Sequence, residues 1–198
     1  MAIHSDPARG APAERRYGAV SILLHWLIAL LIVIQIGLGW YFNNFVPDHS
    51  PQQDSLVTLH VSIGLTILLL VLVRIAVRLT HPAPPLPPMP VWERVLARAT
   101  HGLFYVLMLA LPLTGWAIVS TRPGMVHIWG LPWPKLPGLG GIAASRPLRH
   151  TLQDVHTDYL VWITLANLAL HVMGALWHQF APPRVLQRML PVFPARRA

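Results

Sequence analysis

The sequence predicts an all-α membrane protein that folds as a bundle of four transmembrane helices. Hydrophobic residues make up 54% of the 198 residues and charged residues only 11%, which is typical of a membrane protein rather than of a soluble domain. Four apolar runs are each long enough to cross the hydrocarbon core of a bilayer, which takes roughly 20 helical residues. Polar or proline-rich segments separate these runs, so a single bundle accounts for most of the chain.

The first span is predicted at residues 19–42, after a polar tail at residues 1–18. The tail contains proline, glycine and several arginines, and we expect it to be flexible and cytoplasmic. The apolar run that follows is too long for the h-region of a signal peptide, and no small-x-small cleavage site comes after it. We therefore expect this segment to be retained as a transmembrane helix.

The second and third spans are predicted at about residues 56–80 and 96–121, on either side of a proline-dense linker. The linker, HPAPPLPPMP, cannot be helical because proline lacks a backbone N–H and clashes with the preceding turn. It should therefore run extended along the surface. Pro112 lies inside the third span and is expected to bend it.

The fourth span is predicted at about residues 153–180, after the longest loop of the sequence. This loop, residues 122–150, is rich in proline and glycine, and its Trp129 and Trp133 suit the headgroup layer of a membrane. Two prolines follow the fourth span and end it. The predicted division of the chain is a tail at residues 1–18, a helical domain at residues 19–181 and a basic cytoplasmic tail at residues 182–198.

The charge distribution predicts how the bundle is oriented. The formal net charge of +8 does not indicate nucleic-acid binding, because the arginines lie at the ends of apolar runs instead of along a surface stripe. Eleven of the Lys and Arg residues fall on the side shared by both termini and the proline linker, against four on the other side. The positive-inside rule therefore predicts that both termini are cytoplasmic.

The absence of cysteine limits the cofactors that the chain can hold. Disulfides, thiolate metal sites, iron–sulfur clusters and covalently attached c-type haem all require cysteine and are excluded. Any metal must therefore be bound by nitrogen or oxygen atoms.

Histidines inside the spans are the strongest indication of function. His156 and His171 are fifteen residues apart, which returns them to within roughly 60° of the same helix face and separates them by about 22 Å along the axis. In the predicted orientation His25 lies at the depth of His171, and His60 lies at the depth of His156. Ionisable groups inside a span are costly and usually mark a bound group or a pathway.

Histidines paired in this way meet the requirement of a bis-histidine haem, in which two imidazoles bind one iron from opposite faces of a flat ring. Two pairs predict two non-covalent b-type haems, with the fourth helix donating one ligand to each. Small residues in the spans would make room for the porphyrins, although ordinary helix packing explains them equally well. These residues are Gly37, Gly39, Gly64, Gly115 and Gly174.

The sequence also resembles a known family in all four spans. The segments that carry the resemblance are SILLHWL, TLHVSIG followed by LVRIAVRLTHPAPPLP, THGLFYVLMLALPLTGW and ALHVMGALWHQF. They are similar to the bacterial cytochrome b561 family of four-helix, di-haem b membrane proteins, which is related to the cytochrome b subunits of nickel–iron hydrogenases. The resemblance implies that His25, His60, His156 and His171 are the iron ligands. In that family the last two ligands are usually fourteen residues apart, whereas in this chain they are fifteen residues apart.

Other side chains are predicted to support the haems. Arg16, Arg74 and Arg78 lie near the depth of the cytoplasmic haem and suit its propionates, although snorkelling to lipid headgroups explains them as well. His101 matches a histidine that recurs in the family's third helix, and it would support a propionate or a quinone unless it only packs there. His178 is expected at the membrane interface, with replacement of His171 as an iron ligand as the alternative. Each of the four predicted ligands also has a plainer interpretation as a hydrogen-bonded packing residue.

The resemblance implies quinone-linked electron transfer in the bacterial inner membrane, and superoxide oxidase activity is known in the family. We expect an electron to enter from a periplasmic donor at the haem of His60 and His156, to pass to the haem of His25 and His171, and to leave to a membrane quinone. No pair of side chains in the spans is typical of general acid–base catalysis, so no catalytic residue is assigned and the chemistry belongs to the cofactor. Four basic residues of the outer loops would attract an anionic donor such as superoxide. They are Arg122, Lys135, Arg146 and Arg149.

Two other functions fit the sequence. The chain could be the haem-bearing membrane anchor of a dehydrogenase or hydrogenase, relaying electrons for a partner redox subunit. A cation transporter is the third hypothesis, but Asp158 is the only acidic residue in the apolar runs 19–42, 56–79, 102–121 and 155–180, so ligands for hard cations are scarce.

Overall fold

The computed structural model describes residues 16–139, 146–181 and 185–191. Within these ranges it contains four helices that are long and apolar enough to cross a membrane, so the predicted fold class is confirmed. The first three are continuous helices: α1 (Ala19–Phe45), α2 (Pro51–Thr80) and α3 (Val91–Ser120).

The fourth span is one helical segment that contains a change of helix type. It consists of α4 (Arg146–Asp154), a π-helical turn (Val155–Leu160) and α5 (Val161–Phe180). In the π turn the backbone N–H of Val161 bonds to the carbonyl of His156, five residues earlier. A π turn holds one residue more than an α turn, so it acts as a local insertion within the helix.

Local chemistry explains why α2 begins earlier than the apolar pattern indicates. Ser50 caps the helix, and its hydroxyl accepts a hydrogen bond of 3.2 Å from the N–H of Gln53. Pro51 occupies the first helical position, where its missing N–H costs nothing. The helix therefore starts at Pro51 rather than near residue 56. In α3, Pro112 lies inside the helix without ending it.

Helix α2 is the most enclosed element of the bundle. Its buried residues Ile63, Ile67 and Val71 pack against Ile28 of α1, and Met108 and Leu109 of α3 border the same cluster. Polar contacts join the spans as well, since Gln35 Nε2 donates to the carbonyl of His60 over 2.7 Å. Because lipid is as apolar as leucine, close packing and hydrogen bonds of this kind hold membrane helices together.

The loop between α3 and α4 contains a β-hairpin that the sequence pattern did not predict. Strands β1 (Val126–Ile128) and β2 (Leu131–Trp133) pair antiparallel, with Val126 opposite Trp133. At the tip Trp129 and Gly130 have φ values of 51° and 81°, and two successive positive φ angles are the signature of a type I′ turn. Glycine adopts this conformation without steric cost.

We distinguish the two ends of the bundle by the features that lie there. The terminal end holds the starts of α1 and α3 and the ends of α2 and α5, and the hairpin end is the opposite one. A C-terminal segment, residues 185–191, returns to α1 at the terminal end, where Trp26 Nε1 donates to the carbonyl of Met189 over 2.7 Å. The assignment of the terminal end to the cytoplasm stays a prediction.

Candidate haem-binding sites

The four histidines expected to bind iron lie as two pairs at opposite ends of the bundle. At the terminal end, the ring centroids of His25 in α1 and His171 in α5 are 6.2 Å apart and the rings are inclined at 69°. At the hairpin end, the centroids of His60 in α2 and His156 in the π turn are 6.3 Å apart and the rings are inclined at 70°. We call these the terminal pair and the hairpin pair.

The separation within each pair suits two imidazoles on one metal ion. An imidazole nitrogen binds a first-row metal at about 2 Å, so two nitrogens on opposite sides of the metal lie about 4 Å apart and their ring centroids roughly 6 Å apart. Both pairs already have this centroid separation. Among the described residues no cluster of three or more metal-binding side chains occurs.

Glycines of neighbouring helices lie against the rings of the hairpin pair. A Cβ atom built on Gly39 of α1 would be 3.2 Å from His60 Cε1, and one built on Gly115 of α3 would be 3.4 Å from His156 Cε1. His60 Nδ1 is buried, with no hydrogen-bond partner in the described part of the chain. A buried ring nitrogen without a hydrogen-bond partner, in an imidazole that lies against glycine, is suited to a histidine that binds a large flat cofactor.

A threonine of α3 orients His156. The single hydroxyl proton of Thr114 points to the carbonyls of Ala110 and Leu111, at 2.8 and 2.9 Å. The hydroxyl oxygen therefore accepts the hydrogen bond from His156 Nδ1 over 2.9 Å. With Nδ1 protonated, Nε2 carries the lone pair that a metal requires, and such an outer hydrogen bond also fixes the ring's orientation.

The π turn explains how the fifteen-residue spacing is accommodated. His156 lies in the turn, which holds one extra residue, so the remaining path to His171 amounts to about fourteen α-helical steps. The fifteen-residue interval is therefore accommodated at His156 itself.

Ionisable and aromatic side chains surround the terminal pair. The ring of His171 is in edge contact with those of His101 and Phe104, each with its centroid 5.3 Å away. Arg74 Nη2 lies 3.4 Å from His25 Nδ1, so a positive charge stands beside this ring. His101 Nδ1 donates to the carbonyl of Ala97 over 2.5 Å, which leaves its Nε2 as an acceptor.

The other residues predicted to support a haem lie further out at the terminal end. Arg78 lines a cavity of about 20 Å³, room for roughly one water. Arg16 is exposed and bonds to the carbonyl of Leu190 in the C-terminal segment. The cavity is lined by Tyr17, Ser21, Arg74, Arg78, Tyr105 and Met189.

His178 lies apart from both pairs. Its Nε2 is 3.8 Å from Glu93 Oε2 of α3, so the structure pairs it with a carboxylate and leaves His171 opposite His25. This arrangement favours His171 over His178 as the partner of His25.

Basic side chains collect at the end of α3, at the hairpin end. Lys135 Nζ donates to the carbonyl of Arg122 over 2.6 Å, and Arg149 Nη2 donates to the carbonyl of Thr121 over 3.2 Å. Carbonyls at a helix C-terminus attract cations in this way. The side chain of Arg146 lies outside the described residues.

Sequence reasoning missed Thr114 and Phe104 as neighbours of the histidines. One feature of the sequence could have indicated Thr114: it is a polar residue close to Pro112 and Gly115 in an otherwise apolar run. A hydroxyl inside a span needs a partner, and its own helix carbonyl is the usual one. Nothing in the sequence indicated that it would also accept from a histidine 42 residues away.

Comparison with known proteins identifies the family of the chain. The profile of the family described as prokaryotic cytochrome b561 matches residues 16–192. The chain is 32% identical to the "Probable superoxide oxidase CybB" of Yersinia pestis over 188 residues, 90% of this chain and 97% of that protein. It is 28% identical to "Cytochrome b561 homolog 2" of Escherichia coli strain K12 over 178 residues, 88% of this chain and 91% of the relative. The chain therefore belongs to the prokaryotic cytochrome b561 family, a family of multi-pass bacterial inner-membrane proteins that transfer electrons with b-type haem.

Proposed function

We propose that this chain holds two b-type haems, one at each histidine pair, and moves single electrons from a donor at the hairpin end to a membrane quinone. The observation that carries this proposal is the centroid separation of 6.2 Å in one pair and 6.3 Å in the other. Ordinary packing does not require two histidine pairs with the same separation at opposite ends of a membrane bundle. When bound, the haems supply one-electron carriers, which the side chains of the protein lack.

Residues around each pair have distinct tasks in this proposal. At the hairpin pair, Thr114 keeps His156 in the tautomer that binds iron, and Gly39 and Gly115 leave room beside the rings. At the terminal pair, Arg74 and Arg78 supply positive charge that suits the propionates of a haem. His101 lies against His171 and offers Nε2 to a propionate or to the head group of a quinone.

Superoxide is the donor that we favour. The relative from Yersinia pestis carries the name of a superoxide oxidase, and Lys135 and Arg149 lie together at the hairpin end, where they would attract an anion. Two superoxide ions would each give up one electron and leave as O2. The two electrons, together with two protons, would reduce one quinone to a quinol.

The first experiment is a haem count on the purified full-length protein by pyridine haemochromogen spectroscopy. We expect two b haems per chain. The His156→Ala and His171→Ala variants should each retain one, whereas His178→Ala, a matched control in the same span, should retain both. Retention of both haems after replacement of either ligand would contradict that assignment.

A second experiment tests the donor and the acceptor. Protein in liposomes with a ubiquinone analogue should consume superoxide and form quinol in a two-to-one ratio, at a rate that falls as salt screens the basic residues. A salt-independent rate would contradict electrostatic attraction of the donor. Protein with two haems that neither consumes superoxide nor reduces quinone would instead support the relay function, and a co-purifying redox subunit would identify the partner.

A further inference from the structure

The β-hairpin between α3 and α4 extends back along the side of the bundle instead of lying over its end. Its contacts with α2 are at Ser62, Leu65, Thr66 and Leu68. We propose that this hairpin, Val126–Trp133, is inserted into the membrane and that its outward side chains contact lipid acyl chains. The inference concerns a surface that the electron-transfer function does not use.

The depth follows from the position of these contacts along α2. Asp54 is the last charged residue before the apolar run of α2, which begins at Leu56. At 1.5 Å per residue, Ser62 lies about 9 Å and Thr66 about 15 Å beyond Leu56 along the helix. The hydrocarbon core is about 30 Å thick, so the tip of the hairpin lies well inside it rather than among the headgroups.

Polar groups of the hairpin tip are satisfied by α2. The backbone N–H of Trp129 donates to Ser62 Oγ, and the indole Nε1–H of Trp129 donates to Thr66 Oγ1, each over 3.1 Å. Non-helical backbone at membrane depth is tolerated only where the protein itself satisfies its hydrogen bonds. The hydroxyls of Ser62 and Thr66 meet this requirement for the two N–H groups of Trp129.

The hairpin surface that α2 leaves uncovered is apolar apart from His127, which is also exposed. Met125, Trp129 and Leu131 are 67%, 60% and 69% exposed, while Ile128 is buried against Leu65 and Leu68. The hairpin contains no Lys, Arg, Asp or Glu, and His127 is its only ionisable residue. The exposed side chains lie at a similar membrane depth to Leu69 and Leu72 of α2, which are also half exposed. Lipid chains are the occupant that fits a charge-free surface at this depth.

The cysteine-free chain allows a direct test by spin labelling. A label on Leu131→Cys in haem-loaded protein in liposomes should be accessible to oxygen and protected from a water-soluble nickel reagent. Leu69→Cys on α2 is the lipid-facing reference, and Asp48→Cys in the exposed α1–α2 loop is the aqueous reference. We expect the label at residue 131 to match residue 69. A match to residue 48 would overturn the proposal, and protection from both reagents would overturn it in favour of a second protein chain as the occupant.

A second set of variants tests how the hairpin is held. Ser62→Ala combined with Thr66→Val removes both acceptors, and we expect nickel accessibility at residue 131 to rise several-fold. Thr58→Val is the matched control, because within the described residues its hydroxyl bonds only to the carbonyl of Asp54 in its own helix. Unchanged accessibility in the double variant would overturn the role of these hydroxyls in holding the hairpin at this depth.

Discussion

The terminal pair and the hairpin pair have nearly equal ring separations but very different surroundings. At the hairpin pair the rings lie against glycine backbones of neighbouring helices, with Phe42 in edge contact with His60, and a threonine hydroxyl fixes one tautomer. At the terminal pair the neighbours are the side chains of Arg74, His101 and Phe104. Backbone moves only when a whole helix moves, whereas side chains rotate within nanoseconds.

This difference indicates how each site keeps its geometry. The hairpin pair depends on helix packing and tolerates little added volume. The terminal pair depends on charge and hydrogen bonding, which suits a place where charged groups and protons are exchanged. Three sets of variants test this comparison.

The largest effect is expected from Gly39→Leu, because even a Cβ at residue 39 would lie 3.2 Å from His60 Cε1. The larger side chain should displace His60 and remove the haem at the hairpin pair while the terminal haem remains. The haem-to-protein ratio should therefore fall by half. Gly37→Leu is the control, because nothing lies within 4 Å of a Cβ at that position.

Alanine variants refine the same prediction. Gly39→Ala should weaken haem retention, whereas Gly115→Ala should be tolerated, because its Cβ would lie at an ordinary contact distance of 3.4 Å from His156. Equal retention in Gly39→Ala, Gly115→Ala and Gly37→Ala would show that backbone proximity does not limit the site.

A smaller effect is expected from Thr114→Val, which keeps the volume of the side chain and removes its hydroxyl. Loss of an outer hydrogen bond to a metal-binding histidine typically weakens binding about 10–100-fold. We expect weaker haem retention at the hairpin pair and an altered midpoint potential for that haem alone, measured by redox titration. Thr164→Val is the matched control, since in the part of the chain that the structure describes its hydroxyl bonds only to the carbonyl of Leu160. Equal shifts in both variants would argue against a specific role of Thr114.

The smallest effect is expected from Arg74→Gln, which removes a positive charge beside His25. A nearby cation disfavours the more positive, oxidised state of a haem, so its loss should lower the potential of the terminal haem. Both haems should be retained. Arg94→Gln, at the same end but bonded to the carbonyl of Met89, should leave the potentials unchanged. If the potential assigned to the hairpin haem fell instead, the assignment of the two potentials to the two sites would have to be exchanged.

Hydropathy and helical periodicity were sufficient to predict the four spans and the depths at which the histidines pair. These features depend on the average composition of long segments, which one sequence displays directly. The start of α2 was harder to predict, because a cap such as Ser50 extends a helix beyond its apolar residues. The order of residues around His156 gave no sign of a π turn, since spacings of fourteen and fifteen both return to a similar face.

The hairpin and Thr114 were missed for a different reason. Both depend on contacts between residues far apart in the chain, such as Trp129 with Ser62 and Thr114 with His156. A Trp-Gly pair is also an uncommon choice for a type I′ turn, where asparagine or aspartate before glycine is the usual signal.

The π turn has a consequence for recognising similar proteins. A helix that absorbs an added residue within one turn can keep both of its ligands in place while the number of residues between them changes. A search pattern that fixes the interval between the last two histidines would pass over such a chain. Patterns for this kind of protein should therefore allow insertions next to the ligand itself, and not only in the loops.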